Sequence, residues 1–306
     1  MKTMKKRGFE NPIGVSITVE KNNILPDVWI NITWQQIYHW ATKHKTEWAL
    51  ILVDYFNAAE NRMVKENYLK EGTITEFTGI PFGKEEQFTY LEGKRVLRLL
   101  MKKVRNNMEI GSLDLNIGHS GRSAITQSEW LWDFIPFNSH GESTNFTENM
   151  HCTFGIGANE CKAYITVPNN MKGIKKRVKS LNFKDFQEAA EKIVSDFENA
   201  DEFKEGCSPT IEVWQRRYPS QRSIPIIDGY MRFDLRTAIS RGGGVKIQQE
   251  WLKTSLEILQ NKNSNLQLGV GVNFEYDKCI AIKSSNADEL FVKAWQASMP
   301  IRELFL

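Results

Sequence analysis

Residues Pro209 to Lys246 read PTIEVWQRRYPSQRSIPIIDGYMRFDLRTAISRGGGVK. The second half alternates: Asp228, Tyr230, Arg232, Asp234 and Arg236 fall on one face of an extended segment, and Gly229, Met231, Phe233 and Leu235 on the other. That period predicts a half-buried strand with a charged ladder on its open side, in which Asp234 compensates Arg232 and Arg236. Seven cations (Arg216, Arg217, Arg222, Arg232, Arg236, Arg241, Lys246) stand against three anions (Glu212, Asp228, Asp234), a surplus of four in a chain whose net charge is +3. The stretch is therefore more basic than its surroundings.

Working outward from it, a helix is expected from about Ile247 to Leu259, built on Trp251, Leu256 and Leu259. Leu266 to Tyr276 then alternate over eleven residues, the best strand signal in the chain; Gly269 and Gly271 on its second face imply that something packs close there. Cys279 to Lys283 reads as a pairing partner for that strand, and Asn286 with Glu289 has the spacing of a capping box that opens a last helix. Upstream, Trp130 to Phe137 (WLWDFIPF) reads as a strand, and His151–Ile156 and Lys162–Val167 as the arms of a hairpin around Gly157-Ala158-Asn159. Phe186, Ala190, Ile193 and Phe197 give a helix over 184–199, preceded by a basic connector from Lys172 to Lys179.

Toward the N-terminus, Ile13 to Glu20 (IGVSITVE) reads as a strand, Thr33 with Gln36 as a capping box, and Thr46 as a second helix start. A third helix, about Glu85 to Asn106, carries Lys94, Arg98, Lys102 and Arg105 at spacings of four, four and three, so these cations share one face. The expected fold class is α+β: a mainly helical N-terminal region over residues 1–108, then an α+β domain over 109–306 on an antiparallel or mixed sheet with flanking helices.

Composition narrows the class of protein. With 306 residues and 41% hydrophobic content the chain can bury a substantial core without disulfide or metal staples. No apolar run approaches the roughly 18 residues of a membrane span, and MKTMKKRGFENPIG lacks the apolar core of a secretory signal, so no membrane partner and a cytoplasmic location are expected. Cys152, Cys161, Cys207 and Cys279 form no CxxC pair, which fits reduced thiols.

Four constellations could carry chemistry. Asp133, followed by Glu160-x-Lys162 on another strand, is the pattern by which restriction-type nucleases hold Mg²⁺ and orient a water, because alternate strand residues share a face. His151, Cys152 and Cys161, completed by His119 or His140, are the residue types of a zinc site. Arg241-Gly242-Gly243-Gly244-Val245-Lys246 between a strand and a helix suits an anion, although the spacing is not that of a nucleotide-binding loop. Trp214, Arg216, Arg217, Tyr218, Arg222, Tyr230 and Arg232 combine planar cations with stacking surfaces, suiting a sugar-phosphate backbone, unstacked bases or a protein interface.

IGVSITVE followed by Ile32-Thr33-Trp34-Gln35-Gln36-Ile37 resembles, over residues 13–41, the part of restriction-endonuclease-like (PD-(D/E)xK) proteins of prokaryotic defence systems that follows their catalytic strand. The resemblance implies catalytic acids before Met1, hence a truncated nuclease or a subunit completed by a partner. The expectation is a nucleic-acid-binding protein, DNA first, of a prokaryotic nuclease or antiviral defence system, holding no cofactor. Its contacts would be Lys94, Arg98, Lys102, Arg105, Arg216, Arg217, Arg222, Arg232, Arg236, Arg241 and Lys246. One alternative is a Mg²⁺-dependent nuclease using Asp133, Glu160 and Lys162; another is a non-enzymatic protein-interaction subunit of a larger complex. The DNA reading requires the two cationic segments to share one surface.

Overall fold

A computed structural model of the chain describes residues 7, 13–20, 29–44, 46–118, 130–138, 145–203, 205–217, 219–220, 226–239, 248–261 and 266–306. It is an α+β protein. The chain divides into two compact units, residues 1–78 and 79–306.

In the first unit, β1 (Gly14–Thr18) pairs in parallel with β2 (Trp29–Thr33), which runs directly into α1 (Trp34–Lys43). The Thr33–Gln36 capping box is formed in both directions, satisfying two backbone donors that a helix start would leave orphaned. Thr46 caps α2 (Glu47–Lys65) by accepting from the Ala49 N–H. Tyr38 of α1 and Phe56 of α2 meet in the core with Ile74. Glu60 is buried in α2, yet its carboxylate accepts the N–H groups of Thr73 and Ile74 at 2.7 Å and the Thr75 hydroxyl. A buried charge held by that many donors fixes the loop beside the helix.

The second unit contains a six-stranded sheet of β3 (Leu131–Pro136), β4 (His151–Ile156), β5 (Glu160–Val167), β6 (Cys207–Arg217), β7 (Ile226–Asp234) and β8 (Leu266–Glu275). Its order is β3-β4-β5-β8-β6-β7, with every pair antiparallel. β8 lies between β5 and β6, and nine of its ten residues are buried. The helices of this unit are α3 (Tyr90–Arg105), α4 (Ile174–Ser180), α5 (Phe183–Asn199), α6 (Gln249–Gln260), α7 (Ala287–Ala297) and α8 (Met299–Glu303).

Alternation gives the sheet two unlike faces. Register places Leu131, Ile135, Cys152, Phe154, Ile156, Ala163, Ile165, Val270, Val272, Ile211 and Phe233 on one face, and the helices pack there: Phe291 of α7 against Phe154 and Phe274, Trp251 of α6 against Phe233. The second face carries Trp132, Lys162, Tyr164, Glu212, Trp214, Tyr230, Arg232, Gln267 and Asn273.

Several expectations change. The division falls between Thr78 and Gly79 rather than near residue 108, because α3 buries seven residues in the second unit, beside β3 and α7. That helix starts at Tyr90, capped by Thr89, and not at Glu85. Met108–Leu113 form a 3-10 turn, so the alternation of Leu113, Leu115 and Ile117 makes no strand there and leaves one bridge from Leu115 to Phe137. The basic connector contains α4. Ile280–Lys283 is a 3-10 turn, not a strand beside β8, whose two neighbours are already β5 and β6. Asn286 caps α7 without the side-chain hydrogen bond of a capping box.

Candidate functional site

The second sheet face holds a polar network assembled from four strands. Lys162 on β5 pairs with Glu212 on β6 at 2.8 Å, and Arg232 on β7 reaches across β6 and β8 to grip Glu160 with both terminal nitrogens, at 2.5 and 2.7 Å. Asn273 on β8 donates to the same Glu160 carboxylate at 3.3 Å. The Tyr164 hydroxyl lies between Asn273 Oδ1 (2.5 Å) and Glu212 Oε1 (3.2 Å), and Tyr230 donates to Glu212 at 3.1 Å. Two anions and two cations thus neutralise one another, which is how ionised groups are kept at a sheet interior. Burial and then the Glu212 charge push both tyrosines well above the usual phenol range, so they stay protonated donors at neutral pH.

Above this network lie aromatic rings. Lys162 Nζ sits 4.6 Å from the Trp130 ring centre, 5.1 Å from Tyr164 and 5.8 Å from Trp214. Such spacing lets one ammonium hold several rings in place. Trp214 Nε1 donates to Gln267 Oε1 at 2.9 Å, and Arg216 donates to the same oxygen while lying 5.8 Å from the Trp214 ring centre. The glycines of β8 make this possible: a Cβ at Gly269 would fall 2.9 Å from the Trp214 ring, and one at Gly271 would fall 2.6 Å from Tyr164 Cα. Trp130, Trp132 and Trp214 are half-buried and Tyr230 is 56% exposed, so one face presents four aromatic rings.

The expected catalytic set does not converge. Asp133 is opposite Phe154, and Phe154 opposite Ala163, which places Asp133 on the helix-covered face; Glu160 and Lys162 point to the other face. There Asp133 lies beside Arg105 and accepts from the Phe134 N–H. Lys162 is held by Glu212 and Glu160 by Arg232, so no Mg²⁺ site forms from these three. The zinc candidates separate for the same reason, since neighbours His151 and Cys152 point to opposite faces; His119 and His140 lie outside the described residues. Among the described residues, no three His, Cys, Asp or Glu side chains are grouped to hold a metal ion.

The cationic residues also divide. Lys94, Arg98 and Arg105 on α3 are half-buried and only Lys102 is exposed, because the buried arc of the helix is broad. Arg105 donates to the Phe134 carbonyl, and burial lowers its guanidinium pKa against the opposing charge of Asp133. α3 packs on the apolar face, with Gly93 against Leu131, whereas Arg216 and Arg232 belong to the second face. Arg232 is bound by Glu160, Arg217 by Asp228 at 3.0 Å, and Arg236 by Asp234 through a bidentate pair. The expected Asp234–Arg232 compensation is thus replaced by a long-range pair. Arg222, Arg241 and Lys246 lie outside the described residues.

The N-terminal unit has a different surface: on α2, Trp48, Ile51 and Tyr55 are 80%, 50% and 64% exposed along one helical side. Among the described residues, no helix is long and apolar enough to cross a membrane. No protein-family model and no curated protein matches this chain.

Proposed function

We propose that the protein binds single-stranded nucleic acid across the second face of its sheet, through base stacking more than through phosphate attraction. The observation that carries this reading is the row of rings at Trp130, Trp132, Trp214 and Tyr230, interleaved with Lys162 and Arg216. Bases offer a planar face whatever their sequence, and a sheet that presents aromatic rings stacks them at a gain of about 1–3 kcal/mol each. The charge balance points the same way. Among the charges around these rings, Lys162, Arg216, Arg217 and Arg232 are four positive and Glu160, Glu212 and Asp228 three negative, leaving one.

The test is a fluorescence-anisotropy titration with labelled DNA and RNA oligonucleotides, single- and double-stranded. Single strands are expected to bind, with a log–log salt slope no steeper than about −1.5, corresponding to one or two phosphates. Trp214→Ala and Tyr230→Ala should each weaken binding about tenfold, one stacked base apiece. The triple variant Lys94→Ala/Arg98→Ala/Lys102→Ala should leave it unchanged, because α3 packs on the other face. Failure of every single-stranded probe to bind, or indifference to both aromatic substitutions, would overturn the reading.

A further inference from the structure

At the end of β6 opposite Trp214, two thiols meet. Cys207 opens that strand, Cys279 stands in the turn that follows β8, and their sulfurs are 3.5 Å apart. The approach is built into the backbone. Gly206 has φ +81°, a left-handed conformation that side chains rarely adopt, and a Cβ there would lie 2.7 Å from the carbonyl carbon of Lys278. The Gly206 carbonyl accepts from Glu275, whose own carbonyl accepts from Cys279 at 2.9 Å. These hydrogen bonds hold the two cysteine backbones together while the thiols stay reduced.

We propose that Cys207 and Cys279 form a dithiol site that a hydroperoxide closes reversibly to a disulfide, tying the start of β6 to the turn before α7. Both cysteines are buried, but Cys279 stands in a surface turn, between exposed Lys278 and 83%-exposed Ile280. Its contact with the Cys207 thiol brings Cys279 down to about 7 against the effect of burial, and the N–H groups of Ile282 and Ala281 and the Lys283 charge act in the same direction. By contrast, burial holds Cys152 and Cys161 well above the usual thiol range. A pKa near ambient pH is the optimum for an attacking thiol.

The chemistry balances with one peroxide. The Cys279 thiolate attacks one peroxide oxygen, the O–O bond breaks, and the departing hydroxide takes up the proton released by the Cys279 thiol, giving water and a sulfenic acid. The Cys207 sulfur then displaces the sulfenic oxygen as a second water and the S–S bond forms. Closing the 3.5 Å gap to the bond length of about 2.05 Å requires a shift of roughly 1.5 Å.

The test treats the full chain with hydrogen peroxide, blocks remaining thiols and reads intact mass and a peptide map. Expected is the loss of two hydrogens, a cross-linked peptide pair containing Cys207 and Cys279, and reversal by dithiothreitol. Cys207→Ser and Cys279→Ser should abolish the cross-link, whereas Cys152→Ser and Cys161→Ser should retain it. The rate should rise with pH through about 7, and the oxidised chain should melt roughly 5 °C or more above the reduced one. Unchanged mass, oxygen added to a single cysteine, or a link through Cys161 or Cys152 would overturn the proposal. The parent chain's peptide map decides even where a serine variant does not fold.

Discussion

His151 shows how one residue can hold a fixed charge state for structural reasons alone. Its ring packs edge-on against Phe134 and Phe146, and Nδ1–H donates to the Asn149 carbonyl at 2.9 Å, leaving Nε2 unprotonated. Burial lowers its pKa from 6.5 to about 4, the hydrogen bond to Asn149 opposing and the Arg216 charge assisting. The folded state therefore resists protonation while the unfolded chain accepts it. The stability tied to this residue is complete above pH 6.5 and falls as pH drops toward 4, by about 3 kcal/mol over the window. Denaturant midpoints measured between pH 7 and 4 should decline less in His151→Phe than in the parent; parallel declines would assign the acid sensitivity elsewhere. At this scale the sequence was most readable where partners are local. Thr33, Gln36 and Thr46 cap the helices that their spacing foretold. Glu160 and Arg232 stand 72 residues apart, and no local pattern links them. The charged ladder assigns Arg232 to Asp234, the acid two residues on, whereas folding supplies Arg232 with a carboxylate from three strands away and leaves Asp234 to Arg236.

Among the elements, β8 was legible in full. Its alternation fixed the strand, and its two glycines announced a close approach that the rings of Tyr164 and Trp214 make. Gly271→Ala should destabilise the fold by about 3 kcal/mol, since the added carbon meets the backbone of β5 as well as the Tyr164 ring and neither is a flexible end. Gly269→Ala meets mainly the Trp214 and Tyr164 rings and should cost less stability but weaken single-strand binding by moving Trp214. Thermal melts and the anisotropy titration separate the two; equal losses of stability would contradict the assignment of those contacts. β6 was harder to read. Ile211 and Val213 alternate with Thr210, Glu212 and Trp214, but a buried glutamate and a run of arginines look like surface, and only the network around Glu212 explains why they sit on an interior strand. α3 is the converse case: its evenly spaced cations read as one face open to a polyanion, and the width of its buried arc is visible only once both β3 and α7 are in place.

For the whole molecule, the α+β class follows from the change of period along the chain, while the division between units does not: Gly79, Pro81 and Gly83 punctuate it, but the helical period of α3 beyond them reads as one more helix of the N-terminal run. Every hydrogen bond and ring contact described above for the six-stranded sheet is internal to residues 79–306, and the Ile80 N–H further ties the start of this unit to the turn after β8 by donating to the Ile282 carbonyl at 2.8 Å. A chain of residues 79–306 should therefore fold by itself, with a cooperative melt and the circular dichroism of mixed helix and strand; a molten product would show that its core is incomplete. The one-sided placement of the helices has a consequence for how such a molecule can diverge. Substitutions among Trp130, Trp214, Arg217 and Tyr230 change the face proposed to bind while sparing the hydrophobic layer on the other side of the sheet. Descendants of this architecture can exchange ligands quickly and still change slowly beneath, and a directed library confined to those four positions should return a high proportion of folded clones.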